Sequence, residues 1–462
     1  MKLQKTIITI LLMGFVTLPA KNLTILSRNN LDNFELLDIA LYGDRAYIPG
    51  GLGGLNIVDV SDPSHPTVLG TFEADNCAWG RLYAWAESGS FAYGTGRECG
   101  IKIVDVSNPG APIEINSYSD PETPGTRYEH PAIQGTSLYA ARHRDGVEVL
   151  NISIPSSITR RAVISTNNAW ATLPAGNLLF IADGKQGLKI ADISDPNAPF
   201  LISSLAATGT VKDLAYRSPY LFLAVGAAGV DLVDVSDPSQ PVLLDNYNTT
   251  GYASRVAVND SLIAVSDWDD IEILQVSADT LRLTGIKNTG GRVMAVALNG
   301  NTVFSAEWRQ FVTMDYGVID GPDLDFSTRS LEFSRVPEGE TDTLQATLTN
   351  SGQAPLLISD WQSNNDNFQL ELPTASLNPG ESAPLFAIYT PLTGNWQTMG
   401  ILASNDADEP QAGINLRGNY PYGPMPGDPA PDFNLAQVNG NGNVDLQSLM
   451  GEPTLIAFFT GW

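Results

Sequence analysis

One phrase recurs along this chain and constrains its fold more than any other feature. It reads GLNIVDVSDPSHP from Gly54, GIKIVDVSNPGAP from Gly100, GLKIADISDPNAP from Gly187 and GVDLVDVSDPSQP from Gly229. Three weaker copies begin near Gly146, Asp270 and Gln310, which makes seven. The gaps between successive copies run from 46 to 40 residues when they are aligned on these positions: Asp59, Asp105, Asn151, Asp192, Asp234, Gln275 and Asp315.

Each copy belongs to a unit with the same internal plan of four short strands. An inner apolar strand comes first, a second follows after a short turn, the repeated phrase forms the third, and a fourth follows the S-D-P-x-x-P turn. Short runs rich in Val, Ile, Leu and Tyr, separated by Gly, Asn and Asp-Pro turns, predict β-strands. Four strands in about 42 residues, repeated along the chain, indicate a β-propeller. The sequence therefore predicts an all-β fold with a seven-bladed propeller over residues 21–318.

The carboxylates of the phrase have two interpretations. Asp or Asn can hold a turn through its side chain while the following Pro fixes φ. Carboxylates repeated around a ring could instead bind a metal or act in catalysis. We expect the turn role, because it explains the chemistry of the whole S-D-P-x-x-P element. The residues concerned are Asp59, Asp105, Asp192 and Asp234.

The first thirty residues suggest export and ring closure. Residues 1–20 combine a basic start, an apolar run too short to span a bilayer and a small residue at Pro19-Ala20, which is the pattern of a secretory signal peptide. We therefore expect the protein in a periplasm, at the cell surface or outside the cell. The seventh unit lacks its own fourth strand, and residues 22–29 are a candidate for it.

Charge and cysteine content limit the partners. The chain has 51 Asp and Glu against 25 Lys and Arg, and a net charge of −26 repels nucleic acid and anionic membranes. Its two cysteines, Cys77 and Cys99, are most simply one disulfide in an oxidising compartment, the alternative being two buried thiols. Two Cys and three distant His support no metal site, and we expect no cofactor.

A second domain follows the repeats. Alternating apolar and polar residues over about seven short strands predict an Ig-like β-sandwich at 323–419. Its SNDADE segment, residues 404–409, is either a solvated loop or a cluster of oxygen ligands for Ca²⁺. A Pro/Gly-rich linker then occupies residues 420–431.

Two families resemble these regions. The phrases NIVDV, KIVDV and DLVDV resemble the LVIVD-repeat family, which implies an exported or surface-exposed propeller without fixing one chemistry. L-T-N-S-G at 348–352, Y-T-P at 389–391 and L-R-G-N at 416–419 resemble the Hydin-type, abnormal-spindle-like Ig modules. That resemblance implies a spacer or adhesive stalk.

The last residues, 432–462, resemble the start of redoxin domains, which have the thioredoxin fold. Ala430-Pro431-Asp432-Phe433 and the apolar run at 455–459 match that family, and Gly461-Trp462 matches the residues before its first active-site Cys. The chain ends there, so no redox catalytic residue is carried over. A selenocysteine codon at the next position is one explanation, and a frameshift or a fragment is the other.

The mouth of the propeller channel is the candidate binding site. Aligning the units on their second strands places Tyr83, His130, Asp213 and Arg255 at equivalent positions with Asp38, and Trp170 lies beside them. Aromatic and charged groups at a concave mouth suit a peptide, a glycan or a small polar ligand. Channel mouths of propellers are polar in any case, so a structural role is the alternative. A separate group, Asp267, Asp269 and Asp270, is a candidate for binding a cation.

These observations predict an exported, non-catalytic binding protein. The propeller would bind a protein, peptide or glycan, and the sandwich would act as a spacer. The alternative is the front part of a thiol-disulfide oxidoreductase or peroxiredoxin-like enzyme that ends before its active-site Cys or selenocysteine. We find no catalytic or metal-binding residue in the chain as given.

Overall fold

The structure is a computed structural model. It describes residues 21–31, 35–50, 54–74, 82–96, 99–120, 122, 125–249, 251–337, 339–363, 365–392 and 397–418, and two short strands at 434–436 and 443–445. These residues form β-strands and connections, and none of them forms a helix long and apolar enough to span a bilayer. The all-β fold class is confirmed.

The strands between Lys21 and Val318 form seven four-stranded antiparallel sheets within the described residues. In chain order they are β1 (Lys21–Asn29), β2 (Ala40–Tyr42), β3 (Arg45–Gly50), β4 (Gly54–Asp59), β5 (Thr67–Glu73), β6 (Leu82–Ser88), β7 (Phe91–Gly96), β8 (Gly100–Asp105), β9 (Ile113–Tyr118), β10 (Pro131–Gln134), β11 (Ser137–Ala141), β12 (Val147–Asn151), β13 (Thr159–Ile164) and β14 (Ala171–Ala175). They continue with β15 (Leu178–Ala182), β16 (Leu188–Asp192), β17 (Phe200–Leu205), β18 (Asp213–Arg217), β19 (Tyr220–Ala224), β20 (Val230–Asp234), β21 (Val242–Tyr247), β22 (Arg255–Val258), β23 (Ile263–Ser266), β24 (Ile271–Ser277), β25 (Thr280–Lys287), β26 (Val293–Asn299), β27 (Thr302–Glu307) and β28 (Gln310–Val318).

The inner strands of the seven sheets make a closed ring. Each inner strand contacts the next one along the chain, in the order β2, β6, β10, β14, β18, β22 and β26, and β26 contacts β2 again. The last sheet takes its outer strand from the other end of the chain, because β1 pairs antiparallel with β28 from Lys21–Val318 to Asn29–Phe311. Apolar side chains of neighbouring sheets fill the space between them, as Leu36, Ile48, Phe304 and Phe311 do between the first and last sheets. Closure of the ring therefore covers the faces of every sheet and leaves only short, protected edges.

The repeated Asp residues hold the turn between the third and fourth strands. In each of four units the carboxylate accepts a hydrogen bond from the backbone N–H two residues later, at 2.8–2.9 Å. This is the local bond of an Asx turn. Hydrogen bonds from the following serine, Ser61 in the first unit, lower the pKa of Asp59 from its usual value. The carboxylates named above are therefore turn residues.

The glycine that opens the third strand is required by close packing. Gly187 and Gly229 have φ of 79° and 86°, where residues with a side chain are strained. A Cβ at either position would lie 2.1 Å from a carbonyl oxygen of the fourth strand, that of Leu205 or Tyr247. The recurring glycine of the phrase thus follows from the separation of two strands.

One turn of the ring lacks the residue that its conformation favours. The β24–β25 hairpin places Ala278 and Asp279 at φ of 50° and 60°, the two positions of a type I′ turn. We expect Ala278→Asn to stabilise the protein by about 0.5–1 kcal/mol, because Asn tolerates the left-handed region. Thermal unfolding of the full chain measures this. Ala227→Asn, at an exposed residue outside that region, is the control, and an equal gain there would contradict the explanation.

The remaining described strands form a two-sheet sandwich and a short hairpin. The sandwich has β29 (Leu324–Phe326), β30 (Ser330–Glu332), β31 (Asp342–Asn350), β32 (Leu356–Ser363), β33 (Phe368–Glu371), β34 (Ser376–Leu377), β35 (Ser382–Tyr389), β36 (Gln397–Ser404) and β37 (Gln411–Arg417). The hairpin has β38 (Asn434–Ala436) and β39 (Asn443–Asp445). Sheets β29-β31-β35-β33 and β30-β37-β36-β32-β34 enclose one apolar core with Phe333, Phe368 and Tyr389 packed together. The rest of the redoxin-like segment lies outside the described residues.

A buried lysine joins the sandwich to the propeller. Lys287 ends β25, and its Nζ lies 2.7 Å from Asp323 Oδ1 and 3.8 Å from Asp408 Oδ2. Asn22 of β1 donates to the Asp325 carboxylate at 2.7 Å. Burial alone would lower the pKa of Lys287, but the carboxylates of Asp325, Asp323 and Asp408 raise it instead. These groups therefore fix the sandwich against the ring.

This junction corrects the interpretation of the SNDADE segment as a solvated loop. Asp406 and Glu409 are buried, so the segment is not a solvated loop. Asp323, Asp406 and Asp408 do bring oxygen atoms together, but Lys287 already supplies a cation to Asp323 and Asp408. Burial, and then a hydrogen bond with Asp408, raises the pKa of Asp406 to about 7. The acidic residues of the segment form part of the interface between the sandwich and the propeller.

Candidate functional site

The connections on one side of the ring bond to one another across neighbouring sheets. In the third to sixth sheets, the turn between the second and third strands makes a backbone bridge to the segment that enters the next sheet. The bridged pairs are His143–Ala169, Gly184–Val211, Gly226–Ala253 and Trp268–Val293. We call this side the upper face. The inner strands begin at it, so their first side chains lie at the channel.

Three residues from distant sheets meet at the channel. His130 Nδ1 lies 3.6 Å from Asp38 Oδ2, and Arg255 Nε lies 3.5 Å from Asp38 Oδ1. Asp38 precedes the first sheet, His130 precedes the third and Arg255 opens the sixth. Asp213 is adjacent, since its Oδ2 accepts a hydrogen bond from the backbone N–H of Val256 at 3.1 Å. We call these four residues the channel mouth.

Burial sets the charges of the channel mouth. Burial, and then the nearby Arg255 guanidinium, lowers the pKa of His130 to about 3, while Asp213 opposes the shift. Burial raises the pKa of Asp38, and Arg255 partly offsets this. His130 is therefore neutral at neutral pH, and its contact with Asp38 is a polar contact, not an ion pair. The ion pair of the channel mouth is therefore that between Asp38 and Arg255.

The structure separates the five residues predicted for the binding site. His130, Asp213 and Arg255 lie together with Asp38. Tyr83 lies at a β-bulge of β6 between Leu82 and Ala84 and is half-buried. Trp170 is linked to the channel mouth only through its backbone, whose carbonyl accepts the His130 N–H at 3.4 Å. Its indole belongs to a different part of the upper face.

That part is a cavity of about 500 Å³ over the third and fourth sheets. His143 Nε2 lies 2.6 Å from Glu129 Oε1, and its ring packs edge-on against Trp170 at 4.6 Å. Lys212 Nζ lies 3.3 Å from the centre of the Trp170 ring. The lining side chains include Arg127, Arg142, His143, Arg144, Asn168 and Trp170. The sequence carries no signal for Glu129 and His143 as a pair. One lies at the start of an inner strand and the other in a turn of the same sheet, and only the fold brings them into contact.

Two of the bridged turns place a residue with a side chain in a left-handed backbone conformation. His143 and Trp268 have φ of 51° and 63°, whereas the matching turns of the fourth and fifth sheets have Gly184 and Gly226 at φ of 56° and 67°. A left-handed conformation costs a residue with a side chain roughly 1–2 kcal/mol. Strain of this kind concentrates at functional sites. The sequence contains this signal, because the aligned copies have glycine where His143 and Trp268 stand.

The structure changes one residue of the cation-binding group that the sequence predicts at the sixth sheet. Asp267 and Asp270 do come together, but the third carboxylate is the buried Glu272 and not the exposed Asp269. Asp267 accepts hydrogen bonds from the Thr249 hydroxyl, at 2.7 Å, and from the Gly251 backbone N–H. These bonds hold the connection that enters the sixth sheet, and they require no ion.

Cys99 is buried and disulfide-bonded. It precedes β8, on the turn between the second and third strands of the second sheet. Cys77, the other cysteine of the chain, lies outside the described residues.

Comparison with protein families supports the reading of the repeats. Residues 37–74, 86–120, 173–207 and 208–249 match the LVIVD repeat. The chain contains LVIVD repeats. Residues 322–419 match the HYDIN/CFA65/VesB-like, Ig-like domain. Both resemblances on which the domain assignment depends are therefore found, and the redoxin resemblance is not. No curated protein matches the chain.

Solved structures share the fold at low sequence identity. A chain from the crystal structure of a mitotic checkpoint complex is 14% identical, with a TM-score of 0.52, and the match covers 68% of this chain and 99% of that one. The computationally designed Ika8 protein is 11% identical, with a TM-score of 0.46, and the match covers 63% and 99%. At 14% identity the first likeness shows the propeller fold alone.

Proposed function

We propose that this protein is an exported binding protein whose upper face recognises a partner. The observation that carries the proposal is the channel mouth, where charged and polar side chains from four sheets converge. Around it stand aromatic and cationic side chains on surface connections, such as Trp170 and Lys212. Surface connections on a rigid ring are the usual location of binding residues. The sandwich, fixed by Lys287, would orient this face.

Export is supported by the character of residues 1–20. Cleavage after Ala20 would leave Lys21 as the first residue, which is where β1 begins to pair with β28. N-terminal sequencing of protein recovered from outside the cytoplasm tests this. The alternative of a redox enzyme depends on residues 432–462, where the structure describes only the two strands of the hairpin.

Replacing the central charge pair tests the binding role. The full chain is applied to peptide and glycan arrays as the wild type and as the double variant Asp38→Asn with Arg255→Met, which removes both charges together. We expect the variant to lose the wild-type signals by about tenfold or more, since hydrogen bonds to charged groups contribute about 1.5–3 kcal/mol. Its melting temperature should change little, because neither charge is left unpaired.

Arg282→Met is the matched control. Arg282 is exposed on the outer strand β25, away from the upper face, and this change should leave array signals unaltered. The proposal fails if the wild type binds no member of either array. It also fails if the double variant retains every signal at wild-type strength.

A further inference from the structure

Four side chains form a surface cluster over the sixth and seventh sheets. Tyr252 and Trp268 pack with ring centres 5.4 Å apart. The Arg292 guanidinium lies 5.0 Å from the Trp268 ring centre and 5.6 Å from that of Trp308. We call Tyr252, Trp268, Arg292 and Trp308 the aromatic rim. All four lie on connections of the upper face, away from the channel mouth.

Trp268, the central ring of the aromatic rim, is both exposed and strained, which a purely structural residue need not be. Trp268 leaves 43% of its surface open to solvent, and it does so from a left-handed backbone position that two other sheets fill with glycine. An apolar ring held in water at a strained position contributes little to folding. Such an arrangement is typical of a site that contacts a ligand.

The cation of the aromatic rim is available to an anion. Arg292 is exposed, and it forms no ion pair with a carboxylate of the described residues, although the chain has twice as many acidic as basic residues. Packing between two indoles restricts its guanidinium and leaves N–H donors free for a bidentate acceptor. Planar carboxylates fit those donors.

The backbone of the aromatic rim is already bonded within the protein. The Trp268 carbonyl accepts the Val293 N–H, and the Trp308 N–H donates to the Arg292 carbonyl, both at 2.8 Å. The Trp308 carbonyl accepts the N–H groups of Glu35 and Leu36. An extended peptide that adds a strand to a sheet edge needs free backbone groups there. A ligand here must be recognised through side chains, and an exposed indole beside a guanidinium suits a sugar ring that carries a carboxylate.

We propose that the aromatic rim binds an acidic glycan through one hexuronic acid unit. The apolar C–H face of the sugar would lie on the exposed surface of Trp268, and its carboxylate would accept two hydrogen bonds from Arg292. This inference rests on the proposed binding role of the upper face and names the ligand class for one part of it. Asp267 and Asp269 flank Trp268 and would repel further acidic units, so the site accepts one carboxylate. Its attraction to Arg292 would weaken with salt.

Calorimetric titration with a defined hexuronic acid oligosaccharide tests the proposal on the full chain. Its methyl ester and an acidic peptide of equal charge are titrated in parallel. We expect the acid to bind, and the ester to bind about tenfold more weakly because the charged hydrogen bonds are lost. Trp268→Ala and Arg292→Gln should each weaken binding of the acidic oligosaccharide by about tenfold, whereas Arg282→Gln on β25 should leave it unchanged.

A stability measurement separates a binding role from a structural one. Trp268→Gly removes the ring and relieves the strain, so its melting temperature should equal or exceed that of the wild type while glycan binding is lost. A large drop in melting temperature would assign Trp268 to folding and overturn the proposal.

The remaining outcomes decide whether the site exists and which class of ligand it binds. Absence of acid binding, or equal binding by Trp268→Ala, overturns the glycan site. Equal binding of the acidic peptide overturns the ligand class. Array signals that depend on Asp38 and Arg255 would in each case leave the proposed function standing.

Discussion

Replacing Lys287 with Met is expected to destabilise the full chain by about 3–5 kcal/mol, the usual cost of removing one partner from a buried ion pair. Lys287 is fully buried and lies among Asp323, Asp325 and Asp408. Without its ammonium, those carboxylates would remain in the junction without the cation that contacts all three. Chemical denaturation monitored by circular dichroism measures the loss.

The loss in Lys287→Met should depend on pH in a defined direction. Burial raises the pKa of Asp325 to about 6 even with Lys287 present, and that of Asp406 to about 7. Removing the ammonium raises both further above their unfolded values, so the folded variant binds protons that the unfolded chain does not. Its deficit should therefore be small near pH 4 and grow as the pH rises to 8.

Lys185→Met is the control, because Lys185 is exposed on a connection and should change stability by less than about 0.5 kcal/mol. Adding Asp323→Asn to Lys287→Met should recover part of the loss. A Lys287→Met variant as stable as the control at pH 8 would show that the junction does not depend on this lysine.

Replacing Glu148 with Leu is expected to have a similar effect within the ring. Glu148 is fully buried and accepts hydrogen bonds from Tyr118 at 2.7 Å, Tyr128 at 2.8 Å and Arg160 at 2.6 Å. Arg142, which lines the cavity beside His143, lies 3.4 Å from the same carboxylate. Leu would leave several buried donors without an acceptor, so we expect a loss of about 3–5 kcal/mol in the free energy of unfolding.

Glu122→Leu provides the matched control for Glu148→Leu. Glu122 pairs with the same Arg160, at 2.7 Å, but its side chain is 77% exposed. An exposed pair contributes about 1 kcal/mol at most, so its removal should be nearly silent. Equal losses in the two variants, measured by thermal unfolding, would contradict the role assigned to the buried network.

Local sequence patterns made much of the ring predictable. The spacing of the copies indicates one sheet per unit, and the S-D-P turn and the opening glycine each follow from bonds or clearances within a few residues. Aligning the copies also identified His130 and Arg255, because equivalent residues of a propeller face the same channel. These features depend on short range or on repetition, both of which a single sequence shows.

The junction could not be predicted in the same way. Asn22, Lys287, Asp323 and Asp408 are distant in sequence, and no repeat relates them. Their contact depends on how the sandwich meets the ring, which decides whether the SNDADE carboxylates face water, an ion or a lysine. The aromatic rim was partly predictable. The alignment of the copies shows Trp268 at a glycine position, but it does not show the contacts of Trp268 and Trp308 with Arg292.

We place recognition on the upper face. Binding to the arrays by an upper-face variant and by an outer-strand variant tests this. The upper-face variant combines Asp38→Asn, Arg255→Met and Trp268→Ala, so that neither member of the Asp38–Arg255 pair is left unpaired. The comparison variant combines Phe200→Ser with Val242→Ser, two exposed apolar residues on the outer strands β17 and β21. We expect the upper-face variant to lose the wild-type array signals and the comparison variant to retain them. Retention by the upper-face variant and loss by the comparison variant would contradict this placement.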